Sequence, residues 1–237
     1  MKFTLFIVLV FISGCSNLNY KIAYVSEKDN QYDIFIYNLK SKKDKRITNS
    51  KEVEYGLVWS KINNEVFFTE YNKNFRALKK YNLKHNTIST IIKDSLFSSI
   101  FDVSKKTNSV LINFKTHNNK GELYLYDLNK KEYFRITSNQ EIESGAKFNN
   151  EEDKIVTAIQ IESNNINQGN ISEIFIINLK NNRKDQITFL NGFSGLPSYS
   201  PNNEMITFHC CKEDSCDIYV YYLKENKITN ITNNIGS

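Results

Sequence analysis

The chain has 237 residues, of which 40% are hydrophobic and 13% aromatic, enough to bury a sizeable core in one large domain or two small ones and too much for a disordered polymer. Its 31 basic residues against 26 acidic ones leave a net charge of +5, and the lysines sit in short separated clusters at 40–43, Lys79-Lys80, Lys105-Lys106 and Lys130-Lys131. Charge spread in this way reads as a solvated surface, not as a nucleic-acid footprint.

At the N-terminus Lys2 supplies a positive region, Phe3 to Ile12 an apolar run, and Ser13-Gly14 small residues directly before Cys15, the order of an export signal. An apolar run of about ten residues is too short for a helix across a bilayer core of roughly 30 Å. Ile12-Ser13-Gly14-Cys15 resembles the lipobox of bacterial lipoproteins; the same stretch also fits an ordinary signal peptide with a coincidental Cys. The resemblance implies that residues 1–14 are removed, that Cys15 is acylated, and that 15–19 is a short anchor segment. Two or three acyl chains, each contributing about 0.8 kcal/mol per buried CH₂, anchor stably. Ser16 after the Cys resembles the enterobacterial outer-membrane address, which would place the protein on the periplasmic face of that membrane.

From Tyr20 onward one tripeptide recurs: Tyr37-Asn38-Leu39, Tyr81-Asn82-Leu83, Tyr126-Asp127-Leu128, Ile177-Asn178-Leu179 and Tyr221-Tyr222-Leu223, with leucines 44, 45, 51 and 44 residues apart. Nine residues after each Leu stand Thr48, Ile92, Thr137, Thr188 and Thr232, and twelve further on Ser60, Ser104, Asn149 and Ser200. Constant offsets over five units mark an internal repeat. Each unit holds four short β-prone runs, shown in the first by Ile22 to Val25, Asp33 to Leu39, Lys45 to Thr48 and Gly56 to Trp59. Four strands in about 45 residues is the size of a propeller blade. The long fourth interval carries its extra length in the polar stretch Ser163 to Asn170, read as a protruding loop.

Tyr199-Ser200-Pro201-Asn202-Asn203, Met205 to Phe208 and Asp217 to Leu223 resemble the TolB-type propeller repeat, whose pattern ends in a Trp-Ser-Pro-Asp-Gly turn. The other units keep the strands and lose the Pro and Gly, as in Trp59-Ser60-Lys61. The resemblance covers residues 20–237 and implies an all-β propeller of about five blades, each a four-stranded antiparallel sheet, whose inner strand comes from the preceding repeat. On that scheme the blade holding Ile22 to Val25 lacks its inner strand, which by spacing would end near position 244. The open edge is filled by residues 233–237 or 16–20, or by a strand donated by a partner.

Chemistry-bearing residues are sparse. His85, His117 and His209 do not form a triad pattern, and Gly192-Phe193-Ser194-Gly195-Leu196 departs from the nucleophile elbow in its second Gly. Glu151-Glu152-Asp153 reads as a solvated turn, with a calcium site as the alternative. Cys210, Cys211 and Cys216 flank a polar turn; in an exported chain this favours a disulfide from Cys216 to Cys210 or Cys211 with one thiol left over. A soft-metal site with His209 is the other reading. These observations give no catalytic residue, metal or cofactor. They lead to the expectation of a lipid-anchored, non-enzymatic envelope module that binds a protein partner, with a glycan-binding or polysaccharide-processing propeller as the alternative class.

Overall fold

The computed structural model describes residues 20–28, 31–60, 64–115, 120–138, 141–161, 171–212 and 215–233. Cys15 with the whole of 1–19, His117, and the 163–170 stretch lie outside the described residues, as do 234–237. Every described element is a β-strand. The chain forms two compact units, 1–108 and 109–237.

In the first unit β1 (Lys21–Lys28), β2 (Gln31–Asn38) and β3 (Lys43–Arg46) form a three-stranded antiparallel sheet in chain order. A four-stranded sheet follows, β4 (Val53–Trp59), β5 (Glu65–Tyr71), β6 (Arg76–Asn82) and β7 (Thr87–Asp94), again in chain order, and then β8 (Phe97–Val103). Its core joins Ala23, Ile34 and Ile36 of the first sheet to Leu57, Trp59, Val66, Phe68 and Tyr81 of the second.

The second unit holds β9 (Ser109–Lys115), β10 (Gly121–Asp127) and β11 (Glu132–Arg135), paired in chain order. Then come β12 (Ile142–Phe148), β13 (Lys154–Ile161), β14 (Ile171–Asn178) and β15 (Lys184–Gln186). The last four are β16 (Phe193–Tyr199), β17 (Met205–Lys212), β18 (Ser215–Tyr222) and β19 (Lys227–Asn230). Within each of these last two blades neighbours pair in chain order, and a single parallel bridge, Ser172 to Phe193, links the blades.

The tripeptide has a physical reading. Tyr81, Tyr126, Ile177 and Tyr221 are buried core side chains. The Asn or Asp that follows accepts from the next turn: the Lys84 and His85 amides both donate to Asn82 Oδ1 at 3.0 Å, and the Asn129 and Lys130 amides donate to Asp127 at 2.9 and 3.0 Å. In the first four repeats this side-chain bond fixes the turn, and in all five the turn closes on a residue of positive φ at the same repeat position: Lys42, Asn86, Lys131, Asn182 and Asn226.

The isoleucine-threonine pair ends the outer strand instead of lying in it, which corrects the Lys45 to Thr48 expectation: β3 stops at Arg46. The reason is a swap of partners. The Thr48 hydroxyl accepts the Ile34 amide at 2.8 Å, taking the place of a backbone carbonyl. Thr137, Thr188 and Thr232 do the same for Leu123, Ile174 and Ile218. Beside each lies an acid at one fixed repeat position, Asp33, Glu122, Glu173 or Asp217, all buried. Glu173 accepts the Thr188 hydroxyl at 2.5 Å, Asp33 is paired with Arg46, and Glu122 with Arg135 at 3.2 Å. A buried carboxylate is tolerated because hydroxyl and guanidinium satisfy it. The second repeat confirms the logic: it has Ala77 and Ile92 in place of acid and Thr, and there the outer strand continues to Asp94, pairing Leu78 with Ile92.

Candidate functional site

Three inner strands, β4, β12 and β16, share a bulge at one repeat position, seen as register shifts at Tyr55/Val58, Ser144/Lys147 and Gly195/Ser198. The inner strand therefore starts at Val53, three residues before the Gly56 expected from sequence, and Gly56 is the bulge. The bulged residue has positive φ: Gly56 at 64°, Gly145 at 62° and, in β16, Leu196 at 49°. Glycine takes that conformation without penalty, whereas a leucine there costs roughly 1–2 kcal/mol.

Leu196 is also 74% exposed, and Phe189 and Phe193 nearby are 72% and 49% exposed. Three large apolar side chains within eight residues are thus shown to solvent on and just before one strand. Sequence reading missed them; the signal that could have found them is Leu196 in a repeat position that holds Gly in β4 and β12, although β8 carries Ile100 there.

The strand that carries this display is held by β14 on one edge and β17 on the other. The Ser172 hydroxyl donates to Ser194 O at 2.5 Å, and the Ser172 amide to Gly192 O at 3.0 Å. Glu173 accepts the Asn191 amide at 2.7 Å. Gly192 and Gly195 are required by close approach: a Cβ at 192 would lie 2.7 Å from Cys210 Sγ, and one at 195 would lie 2.7 Å from His209 Cε1. The His209 ring also meets Phe193, with centroids 6.3 Å apart. Burial lowers the His209 pKa and favours the neutral ring.

Behind β16, Cys211 and Cys216 face each other across the β17–β18 hairpin and form a disulfide. Cys210 is a free, buried thiol whose pKa burial raises. The disulfide occupies two of the thiols that a soft-metal site would need, and among the described residues no cluster of three or more His, Cys, Asp or Glu is placed to hold a metal. His85 lies in an exposed turn. Asn149 Nδ2 donates to Glu151 at 3.2 Å and to Asp153 at 2.7 Å, so this carboxylate turn is tied down by its own neighbours.

No protein-family model matches the sequence, and no curated protein matches it. Solved structures do match in fold. TolB from Acinetobacter baumannii superposes with a TM-score of 0.75 at 16% identity, over 89% of this chain and 52% of that one. A putative TolB from Agrobacterium tumefaciens gives 0.69 at 14% identity, over 85% and 69%. The β-propeller domain of the trilobed protease from Pyrococcus furiosus, described as having an open velcro topology, gives 0.61 at 17% identity, over 98% and 73%. This chain spans about half the length of the Acinetobacter TolB. The likeness is one of fold: an all-β chain of β-propeller type.

Proposed function

We propose that this propeller is a non-catalytic module of the cell envelope, anchored through acylated Cys15, that binds a protein partner through the apolar display on β16. The observation that carries the reading is Leu196, 74% exposed and held at positive φ where glycine would fit without strain. Large apolar side chains on a rigid, strained backbone are what an interaction surface requires and what solubility alone disfavours. The anchor is supported by the Ile12-Ser13-Gly14-Cys15 motif, and an envelope location is in keeping with the fold shared with TolB structures.

The test compares capture of envelope proteins by the chain and by a Phe193→Ser/Leu196→Gly variant of unchanged melting temperature. A protein recovered by the first and lost from the second supports the reading. Equal recovery, or retention of saccharides alone, rejects it. Intact-mass analysis of the mature chain tests the anchor separately, since acylation adds the mass of its fatty chains and Cys15→Ala removes it.

A further inference from the structure

Among the described residues the first sheet has one strand fewer than the blade plan. Strands β5, β13 and β17 each pair on one side with an inner strand, β4, β12 and β16. Their counterpart β1 pairs with β2, and among the described residues no strand lies along its other edge. The difference shows in burial. Ile22, opposite Tyr37, corresponds to Val66, Val110, Ile155 and Ile206, each opposite the first residue of its tripeptide. Those four are 0% exposed, whereas Ile22 is half-buried. Tyr24 is likewise half-buried, while Phe68 and Ile112 at its position are at 0%.

The hydrogen-bond phase of the open edge is fixed. The Leu39 amide donates to Tyr20 O at 2.9 Å, and main-chain groups alternate sides along a strand. Ile22, Tyr24 and Ser26 therefore address β2, and Ala23 and Val25 point their N–H and C=O groups at the open edge. Ile22 to Ser26 carries none of the devices that blunt an edge: no proline, no charge, and a register with β2 free of bulges.

The chain itself states what fits such an edge. Three of the four equivalent strands, Val53-Glu54-Tyr55-Gly56-Leu57-Val58-Trp59, Ile142-Glu143-Ser144-Gly145-Ala146-Lys147-Phe148 and Phe193-Ser194-Gly195-Leu196-Pro197-Ser198-Tyr199, agree at four places, whereas β8 keeps only the first two of them. The first residue is apolar, the second Glu or Ser, the fourth at positive φ, and the seventh aromatic.

We infer that β1 is a docking edge for an extended segment of a partner protein. That segment adds antiparallel as the missing inner strand and carries this pattern of apolar, Glu or Ser, Gly and aromatic residues at its first, second, fourth and seventh places. The register follows from β12 on β13, where Phe148 faces Ile155, Lys147 faces Val156 and Ser144 faces Ala158. The donor's seventh residue therefore faces Ile22, its sixth Ala23 and its third Val25. Main-chain bonds supply the affinity and alternate side chains the selectivity. The inference deepens the protein-binding reading but uses a different surface, so a Leu196→Gly chain should still take the strand and the two readings fail separately.

The test is residue-resolved amide exchange on the full chain in detergent, with a synthetic peptide of the 141–149 sequence as the probe and the same peptide N-methylated at its Lys147 amide as the control. In the free protein the Ala23 and Val25 amides should exchange at least about tenfold faster than those of Ile22 and Tyr24. The peptide at about 1 mM should slow them about tenfold or more, and the methylated peptide should not. Protection of Ala23 and Val25 already present in the monomer means that the chain fills its own edge. Protection that grows with protein concentration alongside dimer formation means that a second copy does. Fast exchange that the peptide leaves unchanged means that the edge accepts no strand. Each of these three results overturns the inference.

Discussion

The backbone of Leu196 runs directly against Gly145: a Cβ at 145 would stand 3.2 Å from Leu196 Cα and 3.3 Å from its nitrogen. Both residues have positive φ. The bulges of β12 and β16 thus nest, and the nesting holds Leu196 in a conformation that leucine ordinarily avoids.

Gly145→Ala should therefore destabilise the protein by roughly 2–3 kcal/mol, combining left-handed strain with a contact that the Leu196 backbone cannot easily relieve. Leu196→Gly should do the opposite, leaving stability unchanged or raising it by up to about 1 kcal/mol, while abolishing partner capture. Urea titration of both variants checks the pair.

Thr188→Val keeps shape and removes a hydroxyl that accepts the Ile174 amide at 2.8 Å and donates to Glu173 at 2.5 Å. Two buried groups lose a partner at once, so the expected loss is about 2–4 kcal/mol. Ile92→Val, at the same repeat position in the second repeat, has no such bond to lose and should cost only about 1 kcal/mol. Thermal or urea unfolding of the two variants separates them.

Glu54 is 1% exposed and faces Glu70 across the β4–β5 pair. Ser50 Oγ donates to it at 2.5 Å and Thr48 Oγ1 at 3.3 Å. Burial, with Asp33 and Glu70 nearby, pushes its carboxyl up to about 7 from 4.5. The folded state then holds a proton that the unfolded chain releases, so the Glu54 contribution is full below pH 4.5 and declines as pH rises towards 7. Glu54→Gln should remove that decline, and the variant should gain roughly 1–3 kcal/mol on the wild type between pH 5 and pH 8. Urea unfolding at the two pH values is the check.

The cysteines give a countable prediction. Cys211 and Cys216 are joined and Cys210 is buried, so with Cys15 acylated the folded, unreduced mature chain should react with no thiol reagent. After denaturation the total should be one thiol if Cys15 is acylated and two if it is not, and reduction should add two more. Replacing both bridged cysteines with serine should cost about 2 kcal/mol, as expected for closing so short a loop.

Much of this fold was legible in the sequence because a blade repeats its constraints. The tripeptide serves at once as core anchor, turn cap and end of a strand ladder, so its spacing survived every substitution between repeats. That the first sheet has only three strands among the described residues was readable for the same reason. Strand ends were less so: Ile47-Thr48 has β-prone residues, yet Thr48 bonds the ladder through its side chain and closes the strand early. The β16 display was hidden because exposure of Phe189, Phe193 and Leu196 depends on the bulge and on neighbouring strands, which hydrophobicity alone does not encode. It assigns apolar residues to the core by default.

The central claim, that β16 presents a protein-binding surface, is tested most directly by placing a photoreactive benzoyl-phenylalanine at position 196 and irradiating intact cells. The account predicts one discrete protein adduct at 196 that is absent when the same residue replaces Lys40, which lies in an exposed turn at the end of β2. Absence of any protein adduct at 196, or the same adducts at both positions, would contradict it.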